Sequence, residues 1–225
     1  MSKPYQKFKF VAAATDVVIF SLRGEALNVL LIKMKKKPYQ GKWALPGGMV
    51  KISESVEKAA RRHLQAKTGV SDIFLEQLYA FGGEKRDPYG RVLSVAYYAL
   101  LPYDKSLMLK TTAEYADVRW WPVAKLPALA YDHAEILKTG VKRLRSKLGY
   151  TNIVYSLLPR QFTLSELQKV YEIILDQEID KRNFRKKVGS LGLVKTTGKK
   201  RRGEANRPAA LFEFTSRSLA VVNIL

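Results

Sequence analysis

Residues 41–70, GKWALPGGMVKISESVEKAARRHLQAKTGV, narrow the possible folds most, because they fit a strand, a loop and a helix in close succession. Within Glu54–Lys67, Val56, Ala59, Ala60 and Leu64 recur at helical spacing, and Ser53 followed by Val56 and Glu57 offers an imperfect cap. Phe10–Phe20, Leu27–Lys33 and Val92–Leu101 are rich in β-branched, aromatic and aliphatic residues and read as strands. Glu135–Leu148 places Ile136, Leu137, Val141, Leu144 and Leu148 on one stripe, with Lys138, Lys142, Arg143, Arg145 and Lys147 around the rest. The expected class is α+β.

The texture changes after Gly149-Tyr150, where the reading becomes three helices and then two short strands. This divides the chain into residues 1–149 and 150–225. Thr163-Leu-Ser-Glu166 is a capping box that opens the run Leu164, Leu167, Val170, Tyr171, Ile174. Asp180 caps a second helix, Lys181–Ser190.

Charge then points to partners. The 225 residues carry 40 Lys and Arg against 20 Asp and Glu, a net charge of +20 that favours polyanions, nucleic acid first. Half of that surplus lies in residues 181–207, which hold eleven basic residues and the single acid Glu204. On a helical wheel Phe184, Val188 and Leu191 form a buried stripe; Arg182 and Lys186 lie opposite, with Asn183 and Arg185 beside them. That is the pattern of a recognition helix, whose Arg and Asn side chains can contact bases. Short strands at Leu193–Thr196 and Ala210–Phe214 flank a loop with Lys199, Lys200, Arg201 and Arg202 at its tip and Arg207 on the return. A basic hairpin of this kind suits a wing gripping the phosphate backbone of double-stranded DNA.

Other readings are narrowed. There is no Cys, so disulfides and thiolate metal sites are ruled out. The apolar N-terminal run is broken by Asp16 and reads as a strand, not a signal peptide, and no window approaches the roughly 18 apolar residues of a membrane span. The expectation is a cytoplasmic protein without a membrane partner.

Gly48, Glu54, Arg62, Leu64, Gly69 and Val70 fall in register with G-x5-E-x7-R-E-U-x-E-E-x-G-U, where U is aliphatic, so residues 41–70 resemble the Nudix box. The resemblance implies an α/β/α sandwich with a mixed sheet. It also implies a magnesium site on the three glutamates of the second half, but those positions are His63, Ala66 and Lys67. Magnesium needs oxygen ligands, so the expectation is no catalytic residue, no metal, no cofactor and no hydrolase activity. A site on Glu54 and Glu57 alone is the remote alternative.

Glu84–Tyr98, Trp120-Trp121-Pro122 and Tyr131-Asp-His-Ala-Glu-Ile136 are similar to the ADP-ribose-handling branch of that family. This implies a ligand at Arg62, Lys67, Arg86, Asp87 and Tyr98. Plainer roles stand beside these: Arg62 in a salt bridge to Glu54, Lys67 solvated, Tyr97 or Tyr98 in the core, and His133 structural. A degenerate Nudix domain followed by a winged helix-turn-helix domain resembles the Nudix-related transcriptional regulators. The implied function is a homodimeric repressor on a palindromic operator, responsive to ADP-ribose or, alternatively, to an arabinose-type sugar. An ADP-ribose pyrophosphatase is the enzymatic alternative.

Overall fold

The computed structural model describes residues 10–69, 73–102, 109, 115–201, 208–222 and 224. Strands β1 (Ala12–Arg23) and β2 (Ala26–Met34) form a hairpin, followed by the short β3 (Trp43–Ala44) and β4 (Gly47–Met49). Helix α1 (Val56–Thr68) leads to β5 (Phe74–Phe81), β6 (Val92–Leu100) and β7 (Tyr115–Pro122). β1 and β6 run parallel while the other pairings are antiparallel, so the sheet is mixed. Of its strands, β4, β5 and β7 are too short or too irregular in pattern to stand out in the sequence.

Alternation along β1 builds two layers. Val17 and Ile19 join Leu30, Ile32, Ala60 and Leu64 under α1. Val18 and Phe20 face the other way, toward Ile136, Leu137 and Leu144 of α2 (His133–Tyr150). Gly140 faces this layer, where a Cβ would stand 3.4–3.5 Å from Val18 and Phe20, in ordinary van der Waals contact. Helix α1 is capped by Ser55, whose Oγ accepts from Lys58 N–H at 3.2 Å, and not by Ser53 as the spacing suggested.

Beyond α2 come a 3-10 turn (Ile153–Ser156), helices α3 (Leu164–Leu175) and α4 (Lys181–Ser190), and the hairpin β8 (Val194–Arg201) and β9 (Ala209–Phe214). The capping box forms as expected: Thr163 Oγ1 accepts from Glu166 N–H at 3.1 Å, and Glu166 Oε2 accepts from Thr163 N–H at 2.7 Å. Phe162 pairs with Phe212 through two backbone hydrogen bonds, which fixes β9 against the entrance to α3. The apolar cluster under α2 continues through Ile153, Leu167, Tyr171, Phe184 and Phe214. One continuous apolar seam therefore links the two halves. The chain end returns to it, with Val222 N–H donating to Tyr150 C=O and Ile224 N–H to Gly149 C=O.

The expected loop 197–209 is a correction. β8 extends to Arg201 and absorbs Gly198 in an irregularity between Thr196 and Lys200, so Lys199, Lys200 and Arg201 lie on a strand. Arg202 and Arg207 lie outside the described residues.

Candidate functional site

The cleft of the first half opens where β1 and β2 splay. Residues 20–23 of β1 pair with 26–29 of β2, but further along β1 turns to β4 (Ala14–Asp16) and β2 to β3 (Ile32, Lys33). Into this wedge fall Gly47 and Gly48. A Cβ on Gly47 would collide with the Thr15 carbonyl oxygen, and one on Gly48 would stand 2.8 Å from His63 Cε1. The resulting cavity of about 200 Å³ has Asp16, Gly48, Arg86, Asp87, Tyr131 and His133 in its lining.

Its floor is a buried polar network. Arg86 donates from Nε and Nη2 to both oxygens of Asp132, at 2.9 and 2.8 Å, and from Nη2 to Asp16 at 3.1 Å. Asp16 also accepts from Ser94 Oγ at 2.6 Å and lies 3.3 Å from His133 Nε2. His133 Nδ1 accepts from Leu45 N–H at 2.9 Å, the structural role expected of it. Burial alone would raise the Asp16 pKa, but His133, Ser94 and Arg86 outweigh it and hold it at about 2. Burial likewise opposes the charge on Arg86, and Asp132 and Asp16 prevail to raise its pKa.

This yields a pH prediction. The folded-state pKa of Asp16 lies below its ordinary 3.8, so its stabilisation is complete above about pH 4 and is lost as pH falls toward 2. A shift of this size corresponds to about 2 kcal/mol. Urea unfolding of Asp16→Asn followed from pH 5 downward is expected to show a shallower decline in stability than the parent; parallel curves would contradict it.

Tyr131 walls one side with φ +53, a conformation uncommon for a bulky residue, its ring 4.3 Å from Tyr39 and stacked at 5.1 Å on His133. Asp87 lines the cleft while accepting from Tyr89 N–H at 2.8 Å.

Three of the expected ligand residues take other roles. Tyr98 is fully buried under α2, with its ring 5.5 Å from Phe74, because even positions of β6 face the core; Tyr97 is buried on the opposite face. Lys67 is 3% exposed with its ammonium 3.9 Å over the ring of Tyr115, which itself lines the cleft. Arg62 grips Glu54 at 3.0 and 2.5 Å and donates to Met49 C=O at 3.2 Å, tying the loop to α1. Arg62 and the amide of Lys51 hold the Glu54 carboxyl at about 2. Arg86 does line the cleft, but its charge is matched by two carboxylates.

The same helix does not suit magnesium. His63 presents an imidazole whose Nε2 is buried with no hydrogen-bond partner among the described residues, and burial together with the Arg62 charge lowers its pKa. Ala66 offers a methyl and Lys67 an ammonium, while Glu54 and Glu57 are engaged by Arg62 and Arg61. A hard cation finds no oxygen cage here.

The second candidate site is α4 with β8. Asp180 Oδ1 accepts from Asn183 N–H at 2.7 Å, fixing the start of the helix. Phe184 and Val188 are buried, whereas Arg182, Asn183, Arg185 and Lys186 are exposed. Arg185 is held by Ser165 Oγ at 3.1 Å, which orients it beside α3. Lys199 and Lys200 are exposed, but Arg201 turns back to Glu166 at 2.6 Å and to Gln161 C=O at 3.4 Å. That exposed ion pair joins the wing to the first turn of α3. Asp16 and Asp132 are the residues that sequence reasoning passed over; the signal for the first was a lone carboxylate inside an apolar strand.

Fold and cleft together define a Nudix domain carrying a winged helix at its C-terminal side. The family model for the NUDIX domain matches residues 11–140, and that for the NrtR DNA-binding winged helix domain matches 154–214. The ADPR responsive transcriptional repressor NtrR of Acinetobacter baylyi is 35% identical over 214 residues, covering 93% of this chain and 85% of the relative. Shewanella oneidensis NrtR, solved with a 27mer DNA, superposes with a TM-score of 0.79 at 35% identity over 90% of this chain and 93% of that one. The NUDIX domain of that protein, solved with ADP ribose, gives 0.57 at 33% identity over 64% of this chain and 94% of its own. The chain belongs to the NrtR family of Nudix proteins. Among the described residues no helix is long and apolar enough to cross a membrane.

Proposed function

We propose that this protein is an ADP-ribose-responsive repressor that binds operator DNA through α4 and the β8–β9 wing, and releases it when the Nudix cleft is filled. The observation that carries the reading is the exposed quartet Arg182, Asn183, Arg185 and Lys186 backed by buried Phe184 and Val188, in a chain similar throughout to a regulator solved on DNA. Residues 1–149 sense the effector and 150–225 bind DNA. A cytoplasmic homodimer sets two winged helices on a palindromic site. The cleft binds its effector without hydrolysing it, because His63, Ala66 and Lys67 stand where the family's metal carboxylates would be.

Fluorescence anisotropy on a duplex selected from random sequence tests this. Operator affinity is expected to fall by about 10³ or more between 50 and 200 mM salt, the response to several neutralised phosphates. ADP-ribose is expected to release the duplex equally in EDTA and in magnesium. A flat salt response, or release by arabinose and not by ADP-ribose, would defeat the assignment. Release that requires magnesium would overturn the account of the cleft.

A further inference from the structure

A second and larger hollow lies away from the Nudix cleft, at the junction of the two halves. Its volume is about 650 Å³, within the usual range for small-molecule pockets, which concentrate at domain junctions. Its apolar lining comes from four places: Leu27 at the start of β2, Val123 and Leu126 just after β7, Leu137 and Val141 on α2, and Ile173 near the end of α3. Lys138 and Lys142, one turn apart on α2, form the rim.

The other charges at the rim are engaged. Glu25 pairs with Lys169 of α3 at 3.2 Å. Arg145 donates from Nε to Ile174 C=O at 2.8 Å and lies 3.9 Å from Asp176. Among the described residues no carboxylate comes within salt-bridge distance of Lys138 or Lys142. The hollow thus joins an apolar floor with two exposed ammonium groups that have no acid to answer them.

We propose that this junction is a second ligand site, taking a small organic anion with an apolar body. The body would cover the floor and the anionic group would meet Lys138 and Lys142. Inorganic phosphate or a nucleic acid backbone would satisfy the lysines but leave the floor wet, which is why the charge alone does not describe the site. A molecule seated there touches α2 and α3 together. This inference is independent of what the cleft binds.

The probe is 8-anilinonaphthalene-1-sulfonate, titrated by fluorescence into the full chain with saturating ADP-ribose present. The expected result is saturable binding to one site per chain, weakened about tenfold or more by Lys138→Glu with Lys142→Glu, as expected when two contacting cations become anions. Ala134→Trp, which places a ring in the hollow from an exposed position on α2, is expected to exclude the dye. Sodium sulfate at matched ionic strength should leave the dye in place, whereas decanesulfonate should displace it. Each variant is first checked for a cooperative thermal transition and for the parent's response to ADP-ribose. Non-saturable binding, dye affinity indifferent to both variants, or equal displacement by sulfate would overturn the proposal. So would a charge-reversal variant that loses only operator affinity.

Discussion

Arg182→Ala combined with Lys186→Ala is expected to weaken operator binding about a hundredfold or more while leaving the protein as stable as its parent. Both side chains are exposed on the face of α4 opposite Phe184 and Val188, so removing them leaves no cavity. Surface changes of this kind usually stay within about 0.5 kcal/mol of neutral. A base-edge contact contributes about 1–3 kcal/mol, and losing a base or phosphate contact at both positions weakens binding on the order of a hundredfold or more. The measurement is anisotropy on the selected duplex beside a thermal melt. Unchanged affinity would remove α4 from the interface. Affinity lost together with the melt would mean that the fold had been damaged.

The second large effect is on stability. Arg86→Met is expected to destabilise the protein by about 3–5 kcal/mol, the usual consequence of removing one partner from a buried ion pair. The guanidinium side chain is 5% exposed and Asp16 is 8% exposed, so little water can replace the lost cation. For a chain of this length that corresponds to a fall in Tm of about 10 °C. Adding Asp132→Asn should recover part of the loss, since one orphaned charge disappears and residues in contact do not behave additively. Below the transition, Arg86→Met is expected to hold the operator as the parent does, because α4 lies in the other half. A loss of less than about 1 kcal/mol would show that the network contributes little to the fold.

Where the sequence was legible, the pattern was local. The bounds of α4 follow from Asp180 and the Phe184, Val188, Leu191 stripe, all within twelve residues. The capping box at Thr163 is likewise complete within one turn. Arg62 and Leu64 lie on α1 and Glu54 two residues before it, so the register of α1 could be read off the sequence even though its cap was misplaced by two residues. The cleft was not legible in this way. Arg86 looked like a phosphate ligand because its two carboxylates lie 70 and 46 positions away. Tyr97 and Tyr98 differ in face, not in burial, since helices cover both sides of β6. Lys67 looked like a solvated cation or a ligand contact because nothing near it in sequence announces the Tyr115 ring. Arg201 was assigned to a loop tip because a bulged strand containing glycine resembles a turn.

Helix α2 begins on the cleft floor, where Asp132 and His133 join the network around Arg86, and ends against the DNA-binding half, where Arg145 grips α3 and the chain terminus folds over Gly149. Its 18 residues make a rod of about 27 Å. Over that length a tilt of about 5° at one end would displace the other by about 2 Å.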